Sequence, residues 1–134
     1  MAQRTECYVD TSAFIAFLDR SDSYHSVFRK FFSKPPAVVT SALVVAEGHG
    51  WFLRRYDSQR AVQFLAFLDA LPALRILRFG PEELAVTASI VKKFADQKLT
   101  LADCHGLAIL RERRIVTCWS TDRHLTLTGA SLVI

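Results

Sequence analysis

The sequence predicts a three-layer α/β/α sandwich around a central, mainly parallel sheet, and three observations lead there. Short β-branched apolar runs alternate with longer segments of helical periodicity. The first and the last full run end in hydroxyl residues and an acid, Val9-Asp10-Thr11-Ser12 and Trp119-Ser120-Thr121-Asp122, the chemistry of a strand handing over to a capped turn. No internal repeat or low-complexity linker divides the 134 residues, so residues 1–134 read as one domain able to bury a single core.

The elements follow in order. Cys7-Tyr8-Val9 is a buried strand, and Thr11 to Leu18 resumes as a helix with no Gly or Pro. Ser21-Asp22-Ser23 breaks the chain. Tyr24, Val27, Phe28, Phe31 and Phe32 then recur at three- and four-residue spacing, an amphipathic helix ending near Lys34 and stopped by Pro35-Pro36. Ala37 to Thr40 is a second strand, Ser41 a cap, and Ala42 to Arg55 a third helix. Within it Glu47 sits among Leu43, Val44, Ala46, Trp51 and Phe52, where a carboxylate is expensive unless paired, protonated or bound to a cation. Gly48 and Gly50 each cost about 1 kcal/mol against Ala, which points to close packing or a kink.

After Asp57-Ser58, Ala61 to Leu71 carries a strong apolar stripe that Pro72 ends, and Leu74 to Phe79 reads as the third strand. Gly80-Pro81-Glu82-Glu83 opens a helix whose apolar residues run from Leu84 to Phe94. Thr100 with Asp103 forms a capping-box pattern before a helix that reaches the basic segment Arg111 to Arg114. Ile115 to Trp119 is a strand, and Leu132 to Ile134 a last one at an edge.

Composition excludes several classes of function. The chain is 51% hydrophobic and 22% charged, an ordinary globular balance. No window approaches the roughly 20 apolar residues of a membrane span, and Met1 to Glu6 has no apolar run behind a basic cluster, which argues against a secretory signal. Three cysteines without C-x-x-C spacing point to neither a disulfide framework nor a cysteine zinc site, and suit a reducing cytoplasm. The four histidines form no H-E-x-x-H pattern, and no phosphate-binding glycine motif occurs. Basic clusters such as Arg54-Arg55 and Arg111 to Arg114 read individually as solvated helix faces or ends.

Topology turns the acids into a constellation. Asp10 and Asp122 follow strands, Glu47 lies in the second turn of its helix and Asp103 in the first turn of its own, and in a parallel sheet these positions share the carboxyl edge. Asp10 alone reads equally as a helix cap or a ligand. Four carboxylates at one edge repel one another and raise one another's pKa values, and hard divalent ions with oxygen ligands, Mg²⁺ or Mn²⁺, are the natural compensation.

The patterns Val9-Asp10-Thr11-Ser12, Thr40-Ser41 with Glu47 six residues on, Leu101-Ala102-Asp103, and Ser120-Thr121-Asp122-Arg123-His124, in this order, resemble the PIN-domain nucleases, most closely the VapC-type ribonuclease toxins of toxin–antitoxin pairs. The resemblance spans nearly the whole chain. It implies that Asp10, Glu47, Asp103 and Asp122 form an acidic metal site, with Thr11, Ser12 or Ser120 orienting it. It implies phosphodiester hydrolysis in RNA, with Asp10 and Asp103 as direct ligands, Asp122 toward a second ion, and Glu47 as a ligand or a holder of the attacking water. A cognate antitoxin and a homodimer follow from the same likeness. Cys104-His105-Gly106 is more polar than the usual phrase after the third acid, and His105 has no assigned role. Arg123 and His124 read equally as phosphate contacts and as an exposed loop pair. With the four acids bound to cations, nine acids remain against seventeen basic residues, a balance that attracts RNA and makes binding salt-sensitive. A housekeeping RNA-processing nuclease and a non-catalytic RNA- or protein-binding module are the alternative readings.

Overall fold

The computed structural model describes residues 6–134; the reading of Met1 to Thr5 as free of a signal lies outside the described residues. Five strands, β1 (Glu6–Val9), β2 (Ala37–Ser41), β3 (Leu74–Leu77), β4 (Thr117–Trp119) and β5 (Ser131–Leu132), form one sheet in the order β3-β2-β1-β4-β5. All pairings are parallel, with β1 flanked by β2 and β4. Six helices connect them: α1 (Thr11–Leu18), α2 (His25–Ser33), α3 (Ala42–Arg55), α4 (Ser58–Ala70), α5 (Pro81–Lys93) and α6 (Leu101–Glu112). The sandwich expected from the alternation of strands and helices is therefore present, with a sheet that is wholly parallel.

Strand order places the edge where the candidate acids meet. The chain steps from β1 to β2 to β3, then returns past β1 to β4. Right-handed crossovers put the helices of the outward and return paths on opposite faces. The reversal opens a crevice at the carboxyl ends of β1 and β4. Asp10 leaves β1 there, and its N–H donates to the Trp119 carbonyl at 2.9 Å, binding the first turn of α1 to the end of β4.

The core explains why the helices lie where they do. Tyr8, Val9, Val38 and Val39 are fully buried on the sheet, and Phe14, Phe28, Phe52 and Phe64 bring helices onto it. Phe64 stacks on Phe52 at 5.5 Å between centroids and meets the edge of Phe14 at 6.0 Å. This ring cluster accounts for one of the two odd glycines in α3. A Cβ on Gly48 would lie 2.5 Å from Cζ of Phe64, whereas one on Gly50 would meet only the flexible guanidinium of Arg54. Gly48→Ala is expected to destabilise the fold by roughly 1–2 kcal/mol, the overpacking penalty less the helix-propensity gain. A urea midpoint that falls with an unchanged m value is the expected result.

Several strand ends and one helix face differ from the pattern reading. The third strand stops at Leu77, two residues before Phe79, and β4 begins at Thr117 rather than Ile115. The last strand lies at the edge as expected but covers Ser131 and Leu132, paired with Thr117 and Cys118, rather than Leu132 to Ile134. On α5 the buried residues are Thr87 and Ile90, while Leu84, Val86 and Val91 are exposed. Ile76, at the other edge of the sheet, is 47% exposed. Apolar periodicity alone cannot tell a core-facing stripe from an uncovered one.

Both capping expectations for the long helices hold. Ser41 Oγ accepts from Leu43 N at 3.0 Å, and Thr100 and Asp103 exchange side-chain and backbone hydrogen bonds at 3.0 and 3.1 Å. Cys7, Cys104 and Cys118 are buried free thiols. No helix among the described residues is long and apolar enough to cross a membrane.

Candidate active site

The crevice beside β1 and β4 is a cleft of about 470 Å³ lined by Asp10, Glu47, Asp103 and Asp122, with Thr11, Ser12, Ile15, Trp51, Arg54, Thr121 and Arg123 completing its walls. Sheet topology brings the acids together across almost the whole sequence. Asp10 arrives between β1 and α1, Glu47 on α3, Asp103 on α6 and Asp122 on the loop after β4.

Asp10 stands at the N-cap position of α1 with an extended backbone, yet its side chain makes no capping bond there. The side chain is instead held by one hydroxyl of α1 and one from the end of β4. Its Oδ2 accepts from Ser12 Oγ and from Ser120 Oγ, each at 3.0 Å. Ser120 Oγ in turn accepts from Asp122 N at 2.8 Å, and Ser12 Oγ accepts from Thr121 N at 3.0 Å. The two hydroxyls therefore lock the Asp10 carboxylate to the loop that carries Asp122. Burial raises the Asp10 pKa to about 6; the Ser12 and Ser120 hydroxyls oppose the rise and the Asp103 charge adds to it. No Lys or Arg pairs with Asp10 among the described residues. A buried carboxylate kept without a cationic partner fits a bound cation.

Glu47 is positioned by its neighbour on α1, since Thr11 Oγ1 donates to Glu47 Oε1 at 2.6 Å. Its Oε2 has no hydrogen-bond partner among the described residues. Asp103 serves twice: Oδ2 accepts from Thr100 N in the capping box while the residue also lines the cleft. Asp122 caps the short 3₁₀ turn Arg123–Thr126, its Oδ1 accepting from His124 N at 2.9 Å and lying 2.8 Å from His124 Nδ1.

His124 has a stronger claim on this site than the sequence suggested. Asp103, Asp122 and His124 offer ligand atoms that all lie within 4.8 Å of one another, and among the described residues they are the group that meets this spacing. Asp10 and Glu47 share the cleft but lie outside that group. A two-residue D-x-H spacing across a tight turn is the signal that marks His124, and it becomes legible only once Asp122 is known to cap that turn. Oxygen donors dominate and one imidazole joins them, a donor set that suits a hard divalent ion.

Two other buried titratable groups lie elsewhere. His105 is buried away from the cleft, with Nδ1 2.6 Å from Ser41 Oγ and its ring 4.8 Å from that of Phe79. Burial lowers its pKa, with Glu83 and Glu112 pulling the other way, so it is a neutral ring that braces the cap of α3. A depression of about 510 Å³ near Asp19 also carries a buried acid, but Asp19 Oδ1 is saturated by Ser21 N, Ser21 Oγ and Tyr56 OH at 2.7–3.0 Å. That acid is structural.

A parallel α/β/α sandwich with acids from four separate elements at its switch point defines a protein built around an acidic cleft. The chain belongs to the PIN domain family, whose model matches residues 7–129. Among relatives, it is 29% identical over 116 residues to ribonuclease VapC26 of Mycobacterium tuberculosis, a match covering 86% of this chain and 85% of that protein. Among solved structures, it is similar to Mycobacterium tuberculosis VapC20, described as a sarcin–ricin loop cleaving toxin, with a TM-score of 0.84 at 21% identity over 93% of this chain and 96% of that one. It is also similar to VapBC2 of Rickettsia felis bound to a promoter DNA fragment, with a TM-score of 0.64 at 12% identity over 96% of this chain and 97% of that one.

Proposed function

We propose that this protein is a Mg²⁺- or Mn²⁺-dependent endoribonuclease and the toxin of a toxin–antitoxin pair. The observation that carries the reading is the cleft itself, where Asp10, Glu47, Asp103 and Asp122 converge and the most buried of them, Asp10, has no cationic partner among the described residues. Asp103, Asp122 and His124 would hold one ion, and Asp10 would face the same cation pool from the opposite wall. A divalent ion bound there supplies a water of lowered pKa and neutralises charge on a phosphate.

The protein's own groups do the rest. Ser12 and Ser120 keep the Asp10 carboxylate oriented, so it needs little rearrangement when a cation or phosphate arrives. Thr11 fixes one oxygen of Glu47 and leaves the other to accept a proton from an attacking water. Arg123, exposed at the rim, is suited to a non-bridging phosphate oxygen. The ribonuclease relative and the toxin relatives support RNA as the substrate and a cognate antitoxin as the partner. Exposed Leu84, Val86 and Val91 on α5 offer a face for the proposed homodimer, and three free thiols suit a cytoplasmic protein.

Incubation of the purified protein with total RNA tests this reading. Discrete cleavage with Mg²⁺ or Mn²⁺, lost in EDTA and restored by excess ion, is the expected result. Cleavage indifferent to chelation refutes the metal assignment, and cleavage without growth arrest on expression points to RNA processing instead of a toxin.

A further inference from the structure

The cleft has an apolar and cationic end that the chemistry of the acids does not use. Glu47, Trp51 and Arg54 are spaced i, i+4 and i+7 along α3, so one stripe of that helix carries a carboxylate, then an indole, then a guanidinium. All three line the same cleft, and Ile15 of α1 lines it with them. Trp51 is only half-buried, although it is the larger of the two aromatic residues at this point of the helix and its neighbour Phe52 is 1% exposed. Its ring contacts, with Phe52 at 84° and Tyr56 at 69°, are both T-shaped, and none of the aromatic contacts among the described residues stacks a ring parallel on the indole.

Arg54 adds a second, independent feature. The site of a Cβ on Gly50 lies 2.9 Å from Arg54 Nη1, so the absent side chain at Gly50 is the space into which the guanidinium folds back along α3, one turn before it. Arg54 has no carboxylate partner among the described residues. A guanidinium without a carboxylate partner and an indole without a parallel ring stack, lining the same cleft, match a nucleotide: a π-face for the base and a positive charge for its phosphate.

We infer that Trp51, with Ile15 and Arg54, forms a nucleobase subsite that holds one unstacked nucleotide of single-stranded RNA beside the scissile phosphate. This assignment rests on the ribonuclease reading for the position of the scissile group, but not for the binding of the base. A paired base keeps its stacking neighbours in the helix and cannot present its face to the indole, so the subsite selects loops and single strands over duplex.

The chain has two tryptophans, and Trp119 is 2% exposed against the rings of Phe31 and Phe32, so a Trp119→Phe background leaves Trp51 as the fluorescent reporter. With Asp10→Asn added to prevent turnover, oligoadenylate is expected to quench Trp51 emission, and the same strand annealed to oligouridylate is not. In the catalytically intact protein, Trp51→Ala is expected to raise KM for RNA about tenfold, the scale of one base–aromatic stack, with kcat nearly unchanged. Trp51→Phe is expected to restore most of the loss, and Arg54→Ala to lower the salt dependence of binding by about one phosphate contact. Quenching by oligoadenylate in a protein that cleaves nothing would sustain the subsite while the nuclease reading fails. Absence of quenching with an unchanged KM in Trp51→Ala overturns the subsite even where cleavage stands. The same conclusion follows if Trp51→Ala releases a co-expressed protein partner and leaves KM for RNA untouched.

Discussion

Asp10→Asn is expected to abolish RNA cleavage and at the same time to make the metal-free protein more stable. The loss of rate should be at least about 10³-fold, the scale on which removing an essential electrostatic partner of a transition state acts. The gain in stability follows from linkage. Burial raises the Asp10 pKa from 3.8 to about 6 in the folded protein. Between those values the folded state keeps a proton that the unfolded chain has already released, so stability falls as pH rises through that window. Above it the full penalty of a buried charge applies, on the order of 3 kcal/mol for a shift of about two units. Asparagine removes that charge and can still pair with both Ser12 and Ser120. The variant and the wild type should therefore unfold alike near pH 4 and diverge as the pH approaches 7, with the variant melting several degrees higher. Equal melting temperatures at every pH would show that Asp10 is not held against a desolvation penalty and would remove the physical reason for placing a cation beside it.

Adding Mn²⁺ to the metal-free wild type is expected to raise its melting temperature in a saturable way. An ion at a hundredfold excess over its dissociation constant adds about 2.7 kcal/mol, a shift of several degrees for a domain of this size. The increment should fall most in Asp103→Asn and Asp122→Asn, because these two residues and His124 place ligand atoms within 4.8 Å of one another. Asp103→Asn is a fair test, since the amide oxygen can still accept from Thr100 N and preserve the cap of α6. His124→Gln separates two roles for the imidazole. A reduced Mn²⁺ increment marks a ligand, whereas an unchanged increment with weaker RNA binding marks a phosphate contact. A full Mn²⁺ shift in both aspartate variants would place the ion elsewhere.

Much of the architecture was legible in the sequence because it depends on local signals. The start of α3 after Ser41, the capping box of Thr100 and Asp103, and the stop at Pro35-Pro36 each follow from residues a few positions apart. The strand ends were less legible, since Phe79 and Ile115 look like strand residues yet the ladder stops where its neighbours stop pairing. The outward-facing Leu84, Val86 and Val91 were read as part of an apolar helix pattern for a similar reason. A stripe does not say what covers it.

By itself the sequence determined the element order and the placement of the four candidate acids after strands or in the first two turns of helices, because period and capping are short-range physics. Only the tertiary structure decided how those acids are held. Ser120 reaches Asp10 across 110 positions and Thr11 reaches Glu47 across 36, contacts that exist because β1 lies between β2 and β4. The same long-range pairing seats His105 in the core and brings Asp122 and His124, neighbours in one turn, to Asp103. Distance along the chain carries no information about such neighbours; the order of strands in the sheet does.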